Sequence, residues 1–310
     1  MKLGIVGAGA VGASCAKAML LRGSCHEIVL LDLNEQRARG VAADLSHGSL
    51  LCPTTQVRDG KFEDLKHASI IIVTAGINER AGKAIDRADQ LGRLRLLPHN
   101  AAIYREIVPQ ISSAVPEALI LVVTDPPDPL ADVARQLTAT NPILSSGTFL
   151  DTLRFRLQVG KRLGCHPGSV EAFVVGEHGT SQVYLWSSAR IGGVPILEFA
   201  ARRGWEVERF RREVELSVRN ANIDIIEGTG ASQHGIGIVT ARIVEAILRD
   251  EGLVAPVGVF QAEFEVTLSL PAVIGQGGVS NVLYPDLALE ERKALAASAA
   301  AIAKALATLS

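Results

Sequence analysis

The chain has 310 residues, of which 48% are hydrophobic and 21% charged, enough for about two domains with ordinary globular cores. Its net charge of −2, without a long run of Lys and Arg, makes nucleic acid a poor candidate partner. No apolar run approaches the length of about 18 residues that a membrane span needs, so no membrane association is expected. The four cysteines lack metal-ligand spacing and are too few for a disulfide scaffold, which predicts no metal and a reduced, cytoplasmic compartment.

Short apolar runs alternate with amphipathic stretches in the first half of the chain. The runs are Lys2 to Val6, Glu27 to Asp32, Ser69 to Thr74, Leu119 to Thr124 and Ile143 to Ser145. Most show no polar alternation, which is typical of parallel strands buried on both faces. The helix-like stretches between them lie near residues 10–22, 34–45, 98–114 and 128–139. Residues 1–147 are therefore predicted to form an α/β domain with a doubly wound parallel sheet of the Rossmann type.

Residues 148–310 show a different pattern, which predicts a second domain of the α+β class. Helices are expected at 151–164, 206–226 and 288–308, and strands at 170–175 and within 259–275. In the middle helix, apolar residues recur every three or four positions and define one helix face. The members of this predicted stripe are Val207, Phe210, Val214, Val218, Ala221 and Ile225. The domain boundary is placed at Ser146-Gly147.

A glycine-rich motif, Gly7-Ala8-Gly9-Ala10-Val11-Gly12, follows the first predicted strand and opens a helix. It fits G-x-G-x-x-G, in which the glycines allow a tight turn, close approach to a pyrophosphate and helix packing. Asp32 closes the second strand about 20 residues on, where a carboxylate accepts ribose hydroxyls and repels a 2′-phosphate. This context favours NAD over NADP. The candidate cofactor-binding residues are Gly7, Gly9, Ala10, Val11, Gly12 and Asp32.

A candidate catalytic set lies at the start of the second domain. Gly176-Glu177-His178-Gly179 places a histidine in a glycine-flanked turn after a predicted strand. Upstream, Asp151 and Arg154 are three residues apart on a predicted helix and therefore share one face. A lone histidine is usually a surface or structural residue. Together, the Asp, Arg and His form a coherent site for oxidising an alcohol beside a carboxylate.

On these residues the sequence resembles the L-lactate/malate dehydrogenase family over essentially its whole length. The specific part is the pairing of Leu150 to Arg156 with Gly176 to Gly179, whereas the Rossmann glycines occur in many families. Residues 43–48, Thr74 to Gly76 and Leu270 to Gly275 also match. The resemblance implies an NAD-dependent dehydrogenase that interconverts a small L-2-hydroxy acid and its 2-oxo acid by hydride transfer.

The resemblance also assigns roles to individual side chains. His178 would be the general base for the alcohol proton, and the acid in reduction. Asp151 would bind the other ring nitrogen, and Arg154 would bind the substrate carboxylate through two parallel hydrogen bonds. The family uses an arginine on a closing loop to polarise the C2 carbonyl. Counting back along the loop selects Arg93 for this role, with Arg87 as a rival.

The loop at 78–92 departs from the usual lactate or malate enzymes because it is longer. In this it is similar to the loop of branched 2-hydroxyacid dehydrogenases such as the hydroxyisocaproate enzymes. Its discriminating position, typically Gln for lactate and Arg for malate, is Glu79 here and is followed by Arg80. Glu79 would repel a dicarboxylate, whereas Arg80, shifted by one place, would attract it. The loop therefore leaves the substrate open.

A second departure is Asp125, which stands where the family has an asparagine that donates a hydrogen bond to the substrate oxygen. A carboxylate cannot donate unless it is protonated. Either Asp125 has a raised pKa, or the substrate differs and carries an amino or imino group.

Other site residues follow from the same resemblance. Ser232 aligns with a family threonine near the nicotinamide and the substrate. Thr74, Ala75 and Gly76 are expected to line the adenosine-side groove through their backbone, and Thr124 to face the nicotinamide ribose.

The leading hypothesis is thus an enzyme acting on lactate-like or on branched or bulky 2-hydroxy acids. Malate dehydrogenase is the runner-up. Two alternatives of other kinds remain, an NAD-binding sensor or scaffold without turnover and an imine-reducing, opine-type enzyme. Family members are usually dimers or tetramers, so a homodimer or homotetramer is expected.

Overall fold

A computed structural model of the chain, which describes residues 1–89 and 91–309, contains one large sheet flanked by helices. The strands are β1 (Lys2–Val6), β2 (Glu27–Leu31), β3 (Gln56–Asp59), β4 (Ala68–Val73), β5 (Leu119–Val122), β6 (Ile143–Ser145), β7 (Val170–Glu171), β8 (Val174–Val175), β9 (Val183–Tyr184), β10 (Arg190–Ile191), β11 (Val194–Pro195), β12 (Leu253–Gln261), β13 (Val266–Gly275) and β14 (Gly278–Val282). The helices are α1 (Ala10–Arg22), α2 (Glu35–Ser49), α3 (Leu97–Ala114), α4 (Pro127–Leu137), α5 (Phe149–Leu163), α6 (Ile196–Arg202), α7 (Val207–Thr229), α8 (His234–Leu248) and α9 (Leu289–Ala307).

The large sheet has the strand order β14-β13-β12-β6-β5-β4-β1-β2-β3. Strands β1 to β6 are parallel, so the predicted doubly wound sheet is confirmed. The order reverses beside β1, which pairs with both β2 and β4, and ligands bind at such a switch point in open α/β sheets. The antiparallel strands β12 to β14 extend the same sheet through the pairing of Gly258 with Ser145.

The second half also contains the predicted mixture of strands and helices, with three differences in detail. The strand expected at 170–175 is two short strands that belong to different sheets, β7 and β8. Strand β12 begins at Leu253, earlier than expected. The sequence patterns did not predict strands β9, β10, β11 and β14 or helices α6 and α8, and in the first half of the chain they did not predict β3. The domain boundary near residue 147 stays a prediction.

Two apolar cores cover the two faces of the parallel strands. One is formed by α1, α8 and the side chains that β1, β2 and β4 turn toward them, and the other by α3, α4 and the opposite side chains. A third core joins α5 to α7 and includes Phe155, Trp186 and Phe210, whose rings contact edge to face. Within the described part of the chain, no helix is long and apolar enough to cross a membrane.

Helix α7 shows how the sequence pattern and the structure diverge. The buried positions follow a strict four-residue spacing and are Phe210, Val214, Val218, Asn222 and Ile226. The predicted stripe instead continued to Ile225, which is exposed. A polar residue, Asn222, therefore occupies a buried position on the face that contacts the loop at 78–89.

Candidate active site

The glycine-rich turn joins β1 to α1 at the switch point of the sheet. A side chain at Gly12 would place its Cβ 1.9 Å from the carbonyl oxygen of Gly7, so only glycine allows the helix to pack here. A Cβ at Gly9, in contrast, would meet nothing within 4 Å. Gly9 therefore faces open space at the N-terminus of α1, where backbone N–H groups and the helix dipole favour an anion such as a pyrophosphate.

Asp32 follows β2 directly and lies beside the glycine turn. Its carboxylate accepts the backbone N–H of Ala8 at 2.8 Å and that of Asn34 at 2.8 Å. Arg37 approaches to 3.7 Å from the same carboxylate. The carboxylate is thus fixed at the edge of the turn, in a position suited to the hydroxyls of an adenosine ribose.

A cleft of about 580 Å³ runs from the glycine turn to His178. It is lined by Ala8, Gly9, Ala10, Val11, Ala13, Arg37, Val41, Thr74, Gly76, Ile77, Asn78, Glu79, Val123, Thr124, Asp125, Ser146, Leu150, Arg154, His178, Asn222, Ala231, Ser232 and Ile236. The glycine turn at one end and lining residues that continue to His178 at the other fit an extended dinucleotide.

Three of the predicted cofactor residues support the cleft from behind its wall, and they are Gly7, Gly12 and Ala75. Gly7 and Gly12 form the turn, and the Thr74 hydroxyl donates to the carbonyl of Gly7 at 2.8 Å. Ala75 packs against the core, and its carbonyl accepts the Thr124 hydroxyl at 2.9 Å. These contacts hold the ends of β1, β4 and β5 together.

The three predicted catalytic side chains come together at the far end of the cleft. Asp151 and Arg154 lie on the first turns of α5, and Arg154 Nη1 is 3.0 Å from Asp151 Oδ1. The other oxygen of Asp151 makes a short hydrogen bond with Nδ1 of His178. Since Nδ1 therefore carries a proton toward the carboxylate, Nε2 is the nitrogen that can exchange a proton with a substrate.

The electrostatics favour an ionised Asp151. Although burial alone would raise the pKa of Asp151, the charge and hydrogen bond of His178 hold it well below the usual range, and Arg154 adds to this effect. Burial lowers the pKa of the Arg154 guanidinium, and Asp151 opposes that shift. Arg154 remains charged at neutral pH because an arginine pKa starts above 12. Its Nη2 also lies 3.5 Å from the Ser232 hydroxyl.

Arg93 and Arg87 are the two candidates for the loop arginine that would polarise the C2 carbonyl, and they lie in different places in the structure. Arg93 lies on a short 3-10 helix, Gly92–Leu96, and its Nε is 3.1 Å from Asp125 Oδ2. Burial opposes the charge of Arg93, but nearby carboxylates, Asp125 above all, raise its pKa. Arg87 instead pairs with Asp224 and Glu227 on the outer side of α7. Arg93 is therefore the arginine that reaches the catalytic cluster.

Asp125 lies between the groups that are expected to bind the substrate oxygen. Besides its contact with Arg93, its Oδ1 is 3.6 Å from Nε2 of His178. Its backbone carbonyl accepts the side-chain amide of Asn100 at 2.7 Å. The Asp125 carboxylate thus interacts with the arginine and the ring nitrogen that the sequence predicts as partners of the substrate oxygen.

Glu79 lines the cleft at the same end, and its Oε1 accepts the side-chain amide of Asn222 at 3.2 Å. Burial raises the pKa of Glu79, and the charge of Asp125 adds to the rise. Arg80 points away and donates to the carbonyl of Ile226 at 2.9 Å. Glu79, not Arg80, therefore occupies the substrate side of the loop.

Sequence reasoning missed two polar residues that organise this end of the cleft. Asn222 orients Glu79, and Asn100 binds both Asp125 and the backbone N–H of Ile77. Each is a buried polar side chain on the apolar face of a helix. A polar residue that interrupts such a stripe is the signal that could have identified them.

A dinucleotide cleft that ends at an ion-paired histidine and a buried arginine defines a dehydrogenase for alcohols that stand beside a carboxylate. Comparisons agree. A family model described as lactate/malate dehydrogenase, NAD binding domain, matches residues 1–143, and one for the alpha/beta C-terminal domain matches residues 148–309. The chain is 42% identical over 301 residues to the L-lactate dehydrogenase of Deinococcus radiodurans, with 96% of each chain covered.

It is also 44% identical to the L-lactate dehydrogenase of Thermus aquaticus, again with 96% of each chain covered. A crystal structure of the minor L-lactate dehydrogenase from Enterococcus mundtii, in a ligand-bound form, has a TM-score of 0.91 at 31% identity. That similarity covers 100% of this chain and 98% of the other.

The chain belongs to the lactate/malate dehydrogenase family. It is an NAD-dependent oxidoreductase that interconverts a small 2-hydroxy acid and its 2-oxo acid. The malate alternative is not favoured, because the similar relatives carry the name L-lactate dehydrogenase. The sensor and opine-type alternatives gain no support from these comparisons.

Proposed function

We propose that the chain reduces a small monocarboxylic 2-oxo acid to the L-2-hydroxy acid, with pyruvate and branched 2-oxo acids as its first candidates. The observation that carries this proposal is the joining of His178, Asp151 and Arg154 at one end of the dinucleotide cleft. The test is NADH oxidation with pyruvate, followed by chiral analysis of the product. Formation of L-lactate is expected. D-lactate, or no product from either pyruvate or 2-oxoisocaproate, would contradict the proposal.

When bound, NADH supplies the hydride that C2 of the 2-oxo acid accepts. His178 donates a proton from Nε2 to the C2 oxygen, and Asp151 stabilises the imidazolium that exists before this donation. Arg154 binds the C1 carboxylate, so C1 and the C2 oxygen are held together and C2 is oriented. Arg93 stabilises the negative charge that develops on the C2 oxygen, since the guanidinium lies in a buried region.

The charges in the cleft support a monocarboxylic substrate. Arg93 and Arg154 bring two positive charges, whereas Asp151, Asp125 and Glu79 bring carboxyl groups. A substrate with a second carboxylate would approach Glu79 and Asp125. Neither side chain supplies the positive charge that this carboxylate needs as a partner, and each repels it when ionised. Glu79 therefore favours pyruvate-like acids over oxaloacetate.

Replacing Asp125 with Asn is expected to keep or raise kcat/KM for pyruvate, by up to about tenfold, because the amide can donate to the C2 oxygen. The change also removes a negative charge that repels the substrate. Steady-state NADH oxidation measures the effect, with Glu79→Gln as the control that removes the other carboxylate. A loss of more than tenfold in Asp125→Asn would show that the carboxylate is required, as an amino-bearing substrate would require it.

Asp32 is proposed to select NADH over NADPH. Replacing Asp32 with Asn keeps an acceptor for the Ala8 N–H but removes the charge that repels a 2′-phosphate, and Arg37 is then free to bind it. The NADH-to-NADPH ratio of kcat/KM is expected to fall roughly tenfold, which corresponds to about 1.4 kcal/mol. The double variant with Arg37→Ala should recover much of the ratio. An unchanged ratio in the single variant would remove Asp32 from cofactor selection.

We also propose a cytoplasmic location and a homodimer or homotetramer. The location is supported by the cysteines Cys15, Cys25, Cys52 and Cys165, which are free thiols. The assembly rests on the family alone. We propose the cofactor contacts of Thr74, Gly76 and Thr124, and the substrate contact of Ser232, on the grounds that all four line the cleft.

A further inference from the structure

Helix α4 carries a buried carboxylate, Asp128, that the chemistry above does not use. Asp128 lies in the first turn of α4 and is 0% exposed. Its Oδ2 accepts the backbone N–H of His178 at 2.8 Å, and its Oδ1 accepts the Ser145 hydroxyl at 2.6 Å. Both oxygens of this fully buried carboxylate therefore accept hydrogen bonds, and one of the two donors is the backbone of His178 itself.

The contact ties three elements to one point. Asp128 belongs to α4, Ser145 ends β6, and His178 stands in the turn after β8. His178 is then held twice, by Asp151 at its ring and by Asp128 at its backbone. Asp125, whose Oδ1 lies 3.6 Å from Nε2 of the same ring, is three residues before Asp128 in the chain.

Strand β12 leaves room for this arrangement. A Cβ at Gly258 would lie 2.0 Å from the hydroxyl oxygen of Ser145 and 2.4 Å from Oδ1 of Asp128. No side chain fits there without displacing one of the two. The glycine thus makes the space in which Asp128 and Ser145 meet.

We propose that Asp128 is a positioning residue for the reaction, which sets the location of His178 through its backbone N–H; this rests on the proposed function of His178. Asp128 does not act on the substrate, since it lies behind the wall of the cleft. A displacement of about 1 Å of a catalytic group can lower a rate by on the order of 100-fold, so a single backbone contact suffices for a large effect.

Protonation does not remove the contact. Burial raises the pKa of Asp128 to about 7, although the bonds from Ser145 and His178 oppose the rise. A protonated Asp128 can donate from Oδ1 to the Ser145 oxygen and still accept the His178 N–H at Oδ2. Asparagine reproduces that form, with its amide toward Ser145 and its oxygen toward His178, so Asp128→Asn is the conservative variant.

The chain offers a matched control one turn along the same helix. Asp132 is also a buried carboxylate and accepts both the N–H and the hydroxyl of Thr267, at 2.7 and 2.8 Å. It contacts Thr267 on β13, pairs with Arg135 at 3.5 Å and contacts no catalytic residue in the described structure. Leucine at either position removes two buried hydrogen bonds of the same kind, and at position 132 it also removes the contact with Arg135.

The experiment compares Asp128→Leu, Asp128→Asn and Asp132→Leu by kcat, KM for pyruvate and NADH affinity. Asp128→Leu should lower kcat by on the order of 100-fold, with KM and NADH affinity changed less than about threefold, because Arg154 and the glycine turn are untouched. Asp128→Asn should recover kcat to within about threefold of wild type, and Asp132→Leu should retain it. Equal kcat in Asp128→Leu and Asp132→Leu would overturn the proposal.

Hydrogen exchange gives a readout that does not need turnover. Asp128→Leu should lose protection of the backbone at 176–179, whereas Asp132→Leu should keep it; equal protection in the two would overturn the contact. If the wild-type enzyme reduces no 2-oxo acid but only Asp128→Leu loses protection at 176–179, the proposed function is wrong and the contact between Asp128 and the His178 N–H is supported. If Asp128→Leu does not fold, Ser145→Ala, which releases Oδ1, should lower kcat about threefold, and an unchanged kcat would overturn the proposal.

Discussion

Replacing His178 with Asn is expected to lower kcat for 2-oxo acid reduction by about 10²- to 10⁴-fold, the usual contribution of a positioned general acid. Asn has nearly the shape of the imidazole near the backbone and can still contact Asp151, but it cannot deliver a proton from the position of Nε2. NADH affinity should stay unchanged, because the glycine turn lies at the other end of the cleft. Steady-state NADH oxidation measures kcat, and titration of the enzyme with NADH measures the NADH affinity.

The histidine at position 166 provides the control for this prediction. His166 caps a short 3-10 helix at Pro167–Ser169 and has no contact with the catalytic side chains in the described structure. His166→Asn should therefore keep kcat. The kcat of Asp151→Asn should lie between those of His178→Asn and His166→Asn. Asparagine keeps a hydrogen-bonding group at position 151 but loses the charge that stabilises the imidazolium. If His178→Asn retained more than a tenth of wild-type kcat, another group would have to supply the proton.

Replacing Arg154 with Lys is expected to lower kcat/KM for pyruvate by on the order of 100-fold, although the charge is kept. A guanidinium binds a carboxylate through two parallel hydrogen bonds, which an ammonium cannot reproduce. A hydrogen bond to a charged group contributes about 1.5–3 kcal/mol, and each 1.4 kcal/mol corresponds to about tenfold. The effect should include a raised KM, since the ground-state carboxylate uses the same contact.

Arg156→Lys is the matched control for Arg154, two residues further along α5. Arg156 donates to the carbonyl of Ala172 at 3.0 Å and lies over the ring of Phe173, outside the cleft. Its replacement should leave KM for pyruvate within about threefold of wild type. An Arg154→Lys enzyme with an unaltered KM would contradict the assignment of the substrate carboxylate to Arg154.

The parts of the fold and site that could be predicted from the sequence depend on short-range patterns. Buried parallel strands give continuous apolar runs, and the turn Gly7 to Gly12 needs glycines whose reason is local. Asp151 and Arg154 share a helix face by their spacing alone. These features are sufficient to predict the parallel sheet, the glycine-turn end of the cleft, and Asp151 and Arg154 as candidate site residues.

The remaining features depend on contacts between distant segments. Nothing in the loop itself distinguishes Arg93 from Arg87, because the choice depends on Asp125 and on α7 lying opposite each side chain. The pairing of β12 with β6, and the meeting of Asp128 with His178, join residues more than 45 positions apart. Patterns along the chain carry no information on such pairs.

The most direct test of the account is a set of kcat/KM values with NADH for pyruvate, 2-oxoisocaproate, phenylpyruvate, oxaloacetate and 2-oxoglutarate. The account predicts the highest value for a monocarboxylic acid and a value at least about tenfold lower for oxaloacetate, since Glu79 and Asp125 oppose a second carboxylate. Preference for oxaloacetate, or no oxidation of NADH by any acid despite measurable NADH binding, would contradict it.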